Sequence, residues 1–368
     1  MKILFISSFY KPHNGGVEQY IFNLSQELIK DGHQVTVLCC NTEKVRQEEK
    51  IKGVKIIRLS CFKSPFVGSQ FPLLKPSLKN IKLFKKTFNN QDIVNIHVRF
   101  YILSFVSVLY ARFKKIRVFA TEHGSCHTWL NNPFLNIIAR TCDHTLGTLF
   151  FKLSNGVIAT SKAAGEFTKH LGAKNYSIIY NSIDPKNFIG KLQPENQIIF
   201  IGRLVEQKGI WDLVEVFEKI SPDFPKLKLV VIGDGPEKKK LEKKKNPKIL
   251  LLGNISNKKV IQNLYRSNLF VNPSYSEGIS TTILEALACN VPVIATDTGG
   301  TKEIPGIILY KPRNLKSLQK KIINVLSNQE LKTNTFEIIK EKFSWEIQYL
   351  NFIKLCKKKG IREKICAE

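Results

Sequence analysis

At 368 residues the chain exceeds what one ordinary hydrophobic core organises, and domains of about 100 to 200 residues make two the expected number. Hydrophobic residues at 43% and charged residues at 24% exclude a disordered or collagen-like chain. The formal charge of +27 asks for an acidic partner, yet residues 1–190 carry 26 Lys+Arg against 11 Asp+Glu and residues 191–368 carry 31 against 19, so the excess is even and reads as solvated surface.

In chain order, KILFI, QVTVLCC, VKIIRL, DIVNIHV, IRVFAT, GVIAT and YSIIY read as strands. Between the first two, Val17, Tyr20, Ile21, Leu24 and Leu28 recur at helical spacing before an Asp31-Gly32 stop. The opening MKILFISS is a strand pattern without a signal peptide. The run from Phe100 to Phe113 contains Arg112 and is too short to span a bilayer. NSIDPKNFIGKLQPEN, with two prolines and no period, reads as a linker. After it QIIFIG, LKLVVIG, KILLLG, NLFVNP, VPVIAT and GIILY form a second strand set, and the tail from Glu337 reads as an amphipathic helix. The eight cysteines lack paired CxxC or Cys/His zinc spacing; most sit in apolar runs and read as reduced core residues of a cytoplasmic protein. The alternation predicts an α/β chain of two Rossmann-like parallel-sheet domains, residues 1–182 and 183–345, facing across a cleft, followed by a tail of residues 346–368.

Several loops carry chemistry. YKPHNGGVEQY sets Gly15 and Gly16 between the first strand and its helix, either a ligand approach or an ordinary tight turn. The third glycine of a dinucleotide fingerprint is missing, which disfavours a nicotinamide site. Leu74, Leu78, Ile81, Phe84 and Phe88 share one helical face among lysines; the segment reads as a helix covering the sheet, with peripheral contact to an anionic membrane as the alternative. Among seven histidines, His123 in FATEHGSCH follows a strand and precedes a glycine. In IIFIGRLVEQKGIWDLVEVF, Arg203 can fork onto phosphate oxygens and Lys208 can supply a point charge. LVVIGDGPE carries Gly233, and Asn254 follows KILLLG.

The sharpest segment is NPSYSEGISTTILEALACNVPVIATDTGG. Glu277 and Gly278 stand on a loop; Ser280, Thr281 and Thr282 supply residue types that begin helices, and ILEALAC continues as one. A helix start after a glycine presents unpaired N–H groups to an anion. Thr282-x-x-Glu285 also fits a capping box, and these residues alone do not separate cap from ligand contact.

Glu277 and Glu285 with the following VPVIAT strand resemble the E-x7-E motif of the family 4 retaining glycosyltransferases, and Gly202-Arg203 with Lys208-Gly209 is similar to that family's donor-phosphate element. The resemblance spans nearly the whole chain and implies the GT-B fold, with residues 346–368 packing back on the first domain. It implies that Glu277 contacts hydroxyls of the transferred sugar, that Glu285 holds the ribose, and that backbone from Gly278 through Ile279 and Ser280 to Thr281 lines the sugar and phosphates. Arg203 and Lys208 would stabilise the leaving diphosphate. Gly233 and Asn254 would border the base, Gly15 and Gly16 the phosphates and acceptor, and His123 the donor sugar. The expected donor is a UDP- or GDP-linked sugar, the acceptor a glycan or lipid-linked molecule of cell-surface polysaccharide or glycolipid synthesis, and the configuration is retained. No metal or other cofactor and no nucleic acid is expected. Ile279-Ser280 stand where the family carries phenylalanine and a small residue, which leaves the sugar unnamed. The competing readings are a GT-B epimerase, a two-carboxylate glycosidase, opposed by the phosphate-binding cations, and a basic RNA-binding protein, opposed by the lack of a nucleic-acid module.

Overall fold

The protein was analysed as a computed structural model that describes residues 1–13, 15–63, 71–127, 133–190, 192–328 and 335–358. The chain divides into two compact units, one of Met1–Tyr180 with the segment from Trp345 onward, the other Asn181–Ser344. The divisions expected from sequence lie at 182/183 and 345/346, so Asn181, Ser182 and Trp345 each fall on the other side of them.

The first unit runs β1 (Lys2–Ile6), α1 (Gly16–Lys30), β2 (Gln34–Cys40), β3 (Glu48–Ile51), β4 (Val54–Leu59), β5 (Cys61–Lys63), β6 (Pro72–Leu74), α2 (Leu78–Thr87), β7 (Ile93–His97), α3 (Ile102–Phe113) and β8 (Arg117–Glu122). It continues through α4 (Pro133–Cys142), a π turn at Asp143–Gly147, α5 (Thr148–Leu153), β9 (Gly156–Ala159), α6 (Lys162–His170) and β10 (Ser177–Ile178). Its main sheet has the order β10-β9-β8-β7-β1-β2-β4-β3 and is parallel except for the β3–β4 pair. Successive side chains point to opposite faces of a strand, so Leu4 and Ile6 join one core layer with Phe84, Phe88 and Phe150, while Ile3 and Phe5 join another with Tyr20, Leu24 and Leu28 of α1. Such two-sided burial is why the strands read as continuous apolar runs. Helix α1 stops where expected: Gly32 adopts φ 74, and the N–H of His33 bonds the carbonyl of Leu28.

The second unit contains β11 (Gln197–Ile201), α7 (Ile210–Ile220), β12 (Lys228–Ile232), α8 (Lys238–Lys243), β13 (Ile249–Gly253), α9 (Asn257–Tyr265), β14 (Leu269–Asn272), α10 (Thr281–Ala288), β15 (Val293–Thr296), β16 (Ile307–Tyr310), α11 (Leu315–Ser327) and α12 (Phe336–Phe343). All its pairings are parallel, in the order β13-β12-β11-β14-β15-β16. Numbered within the unit this is 3-2-1-4-5-6, and the order reverses between β11 and β14. In open parallel sheets the carboxyl ends at that reversal are where ligands bind.

The tail is two helices rather than one. Ser344 adopts extended backbone after α12, and α13 (Trp345–Lys357) places Trp345, Phe352, Ile353 and Cys356 in the α1-side core of the first unit. Arg117 of β8 caps it, donating to the carbonyls of Cys356 and Lys358 at 2.5 and 2.9 Å. No helix among the described residues is long and apolar enough to cross a membrane. Cysteines 39, 40, 289 and 356 are buried, whereas Cys126 and Cys142 are exposed, which corrects the core reading for those two; Cys366 lies outside the described residues.

Candidate functional site

The loops at the reversal point of the second sheet are locked to each other by backbone. Gly209 ends a short turn in the left-handed region at φ 65, and a Cβ there would lie 2.1 Å from the carbonyl oxygen of Pro273. Only glycine combines that conformation with that approach. The N–H of Tyr275 donates to the carbonyl of Gln207 at 2.9 Å. These contacts fasten the loop after β11 to the loop after β14 and set Lys208 beside Glu277, with Nζ 2.5 Å from Oε1. Asn272, the buried last residue of β14, lies 3.4 Å from the same oxygen through Nδ2. The Ser274 hydroxyl stands between Glu277 Oε1 at 2.9 Å and Asn272 Oδ1 at 2.7 Å. Glu277 is thereby held by a cation and two polar side chains, with 11% of its side chain exposed.

Immediately afterwards α10 begins. Ser280 is its N-cap residue but makes no side-chain cap bond; its hydroxyl meets that of Thr282 at 2.9 Å instead. The Ser280 side chain therefore leaves the first amides of α10 open, which suits an incoming anion. Thr282 lies second and Glu285 fifth in the helix, so the capping box does not form. Among the described residues the Glu285 carboxylate has no hydrogen bond or ion pair, and burial pushes it up to about 7. Asn181 Nδ2 donates to the carbonyl of Ile279 at 3.0 Å, fixing the loop from behind. The Ile279 side chain is buried, so this residue offers backbone rather than its side chain.

The other second-unit candidates border the same sheet edge without joining the ion pair. Arg203 is exposed after β11, and Asn254 is exposed after β13. Gly233, at φ 135, packs where a Cβ would lie 1.9 Å from the carbonyl oxygen of Gly202. It keeps the ends of β11 and β12 close.

In the first unit, Gly15 is the N-cap of α1, and a Cβ on it would lie 2.3 Å from Glu18 Oε2. An added Cβ at Gly16 meets nothing within 4 Å. His123 follows β8, and its Nε2 lies 2.9 Å from Nδ1 of His97 at the end of β7. Burial lowers both imidazoles, His123 to about 3 and His97 well below its ordinary value, where His123 adds to the effect. Both are neutral at pH 7. The buried Nε2 of His97 has no hydrogen-bond partner among the described residues, and an orphaned acceptor is tolerated better than an orphaned N–H. Behind them Glu122 accepts from the N–H groups of His123 and Gly124 at 3.0 and 2.9 Å, and Arg99 donates to it at 2.6 Å.

The sequence profile of the family described as Glycosyl transferases group 1 matches residues 183–342, and that described as Glycosyltransferase Family 4 matches residues 14–187. The chain belongs to glycosyltransferase family 4. An uncharacterized glycosyltransferase of Methanocaldococcus jannaschii is 27% identical, with 94% of this chain and 95% of the relative covered. The gpi3 subunit of the Schizosaccharomyces pombe phosphatidylinositol N-acetylglucosaminyltransferase is 26% identical over 92% of this chain and 77% of its own. The crystal structure of Anabaena HepE in complex with UDP shares the fold, with a TM-score of 0.76, 17% identity, and 96% and 99% of the two chains covered. The architecture is GT-B.

For this family 4 glycosyltransferase the structure unites Lys208, Glu277 and Ser280 around Asn272 and leaves Glu285, Arg203, Gly233 and Asn254 separate. Asn272 and Ser274, in NPSYSEG, hold Glu277 but are not among the residues expected from sequence. Their signal was a polar residue ending an apolar strand and a second polar residue two places on. Nothing in one sequence pairs the ends of β7 and β8, which bring His97 to His123.

Proposed function

We propose that the second unit binds a nucleoside diphosphate sugar at the carboxyl ends of β11, β12 and β14 and that the glycosyltransferase transfers its sugar with retention to a lipid-linked or glycan acceptor. The observation that carries this reading is the Lys208–Glu277 ion pair beside a helix start that its N-cap residue Ser280 does not cap. Cations and amides of this kind suit a leaving diphosphate, whose charge grows as the bond to the sugar breaks. In the proposed step the bond from the anomeric carbon to phosphate oxygen breaks, the diphosphate keeps the electron pair, and the acceptor oxygen bonds to that carbon while its proton passes to the leaving phosphate. Lys208, Arg203 and the amides of Ser280 to Thr282 carry the diphosphate, Glu277 orients sugar hydroxyls, Glu285 holds the ribose, and Gly233 and Asn254 border the base. The UDP bound to HepE makes uridine diphosphate the first nucleotide to try. The phosphatidylinositol in the name of the fission-yeast relative makes a lipid-linked acceptor the first class.

Peripheral contact with an anionic membrane fits such an acceptor. Helix α2 buries Phe84 and Phe88 in the core, so it covers the sheet as expected, but leaves Leu78 and Ile81 exposed among exposed lysines 79, 82, 85 and 86. A stripe on α3, Ile102, Val106, Leu109 and Phe113, is exposed as well. Sedimentation with phosphatidylserine vesicles at low salt should remove the protein from solution, neutral vesicles should not, and equal recovery from both contradicts membrane contact.

The activity test incubates the protein with UDP- and GDP-sugars and membrane lipid extract, then analyses products by mass spectrometry. Nucleoside diphosphate with a glycosylated acceptor supports the transferase. A new nucleotide sugar formed without acceptor identifies an epimerase. Salt-sensitive oligonucleotide binding unaffected by Glu285→Ala would favour the RNA-binding reading.

A further inference from the structure

Three histidines of the first unit, distant in sequence, meet at its surface. His127 follows the His123–Gly124 turn, His144 lies in the π turn between α4 and α5, and His170 is the last residue of α6. One donor nitrogen from each lies within 4.8 Å of the others. The ring centroids are 5.2 Å apart for His127 and His144, 5.2 Å for His144 and His170, and 6.1 Å for His127 and His170.

What lies behind them bears on the chemistry. Asp143 Oδ2 is 2.7 Å from His127 Nδ1, which leaves Nε2 as the nitrogen for an ion. Asp143 is buried and held by Arg99 through two bonds of 2.9 and 3.0 Å, and Arg99 also pairs with buried Glu122. One guanidinium faces two carboxylates, so one unit of negative charge remains beside His127. A carboxylate on the far nitrogen of an imidazole fixes the tautomer and strengthens the near nitrogen as a metal ligand. The end of α6 adds carbonyls that favour a cation near His170. Neutral imidazoles in a set of three suit a divalent transition metal and leave a coordination position open.

We propose that His127, His144 and His170 bind a divalent ion of the zinc class, with Asp143 as the positioning residue, and that the ion tethers the loop carrying His123 to α6 and to the α4–α5 helix. Zinc–nitrogen bonds of about 2.0 to 2.1 Å require the rings to draw closer. His144 and His170 are exposed and can do so by rotating. The site lies wholly in the first unit and uses none of the residues proposed to hold the donor, so it stands or falls separately from that reading.

The test uses the full chain, free of any histidine tag and stripped with chelator, titrated with Zn2+ by calorimetry and with Co2+ by visible absorption. The expected result is saturation at one equivalent, a cobalt spectrum of low-symmetry nitrogen coordination, and a rise in Tm with Zn2+. His144→Ala and His170→Ala should each weaken binding at least about tenfold, and Asp143→Asn about 10- to 100-fold, while His33→Ala changes nothing. Both exposed histidines can be removed without disturbing the core, and circular dichroism of the double variant checks this. An affinity and stoichiometry unchanged in the double variant, or only weak binding at several sites, means an adventitious ion only and overturns the proposal.

Discussion

Burial raises the Glu285 carboxyl to about 7 from its ordinary 4.5, so between those values the folded chain holds a proton that the unfolded chain has released. Stability without ligand therefore falls as pH rises through that window. Glu285→Gln, which cannot ionise, should lose this slope: its Tm should exceed that of the parent at pH 8 and match it near pH 4, while nucleotide binding weakens. Equal Tm differences at both pH values would show that Glu285 is not held neutral by burial. Gly209→Ala should cost about 1 to 3 kcal/mol, read by urea denaturation, because it combines φ 65 with the Pro273 carbonyl; an unchanged midpoint would contradict the locking of the two loops. At this scale the helix start after Gly278 was legible from residue chemistry. The distinct roles proposed for Glu277 and Glu285 rest only on family resemblance. The grip of Asn272 and Ser274 on Glu277 depends on how a strand end meets a loop, which no spacing displays.

The elements were legible because parallel strands buried on both faces leave continuous β-branched runs, as in KILFI and VPVIAT. The tail was less so. Helical period runs through Ser344, and only the extended backbone there divides α12 in the second unit from α13 in the first. Phe352 of α13 is 0% exposed, with its ring 6.1 Å from that of Phe5. Phe352→Ala should cost about 3 to 5 kcal/mol in denaturant unfolding of the first unit. A loss below about 1 kcal/mol would mean that α13 contributes little to that core.

For the molecule as a whole, alternating strands and helices sufficed for two Rossmann-like units, and the reversal between β11 and β14 indicates which strand ends face a ligand. The histidine cluster was not legible, since residues 127, 144 and 170 become neighbours only where the loop after β8, the π turn and the end of α6 meet. The most direct measurement is a thermal-shift titration of the full chain with UDP, GDP, ADP and their sugars, repeated on Lys208→Ala and Glu285→Gln. One diphosphate and its sugar should raise Tm in the parent and lose at least about tenfold in apparent affinity in each variant. No shift with any nucleotide, or shifts unchanged in both variants, would contradict a donor site at the start of α10.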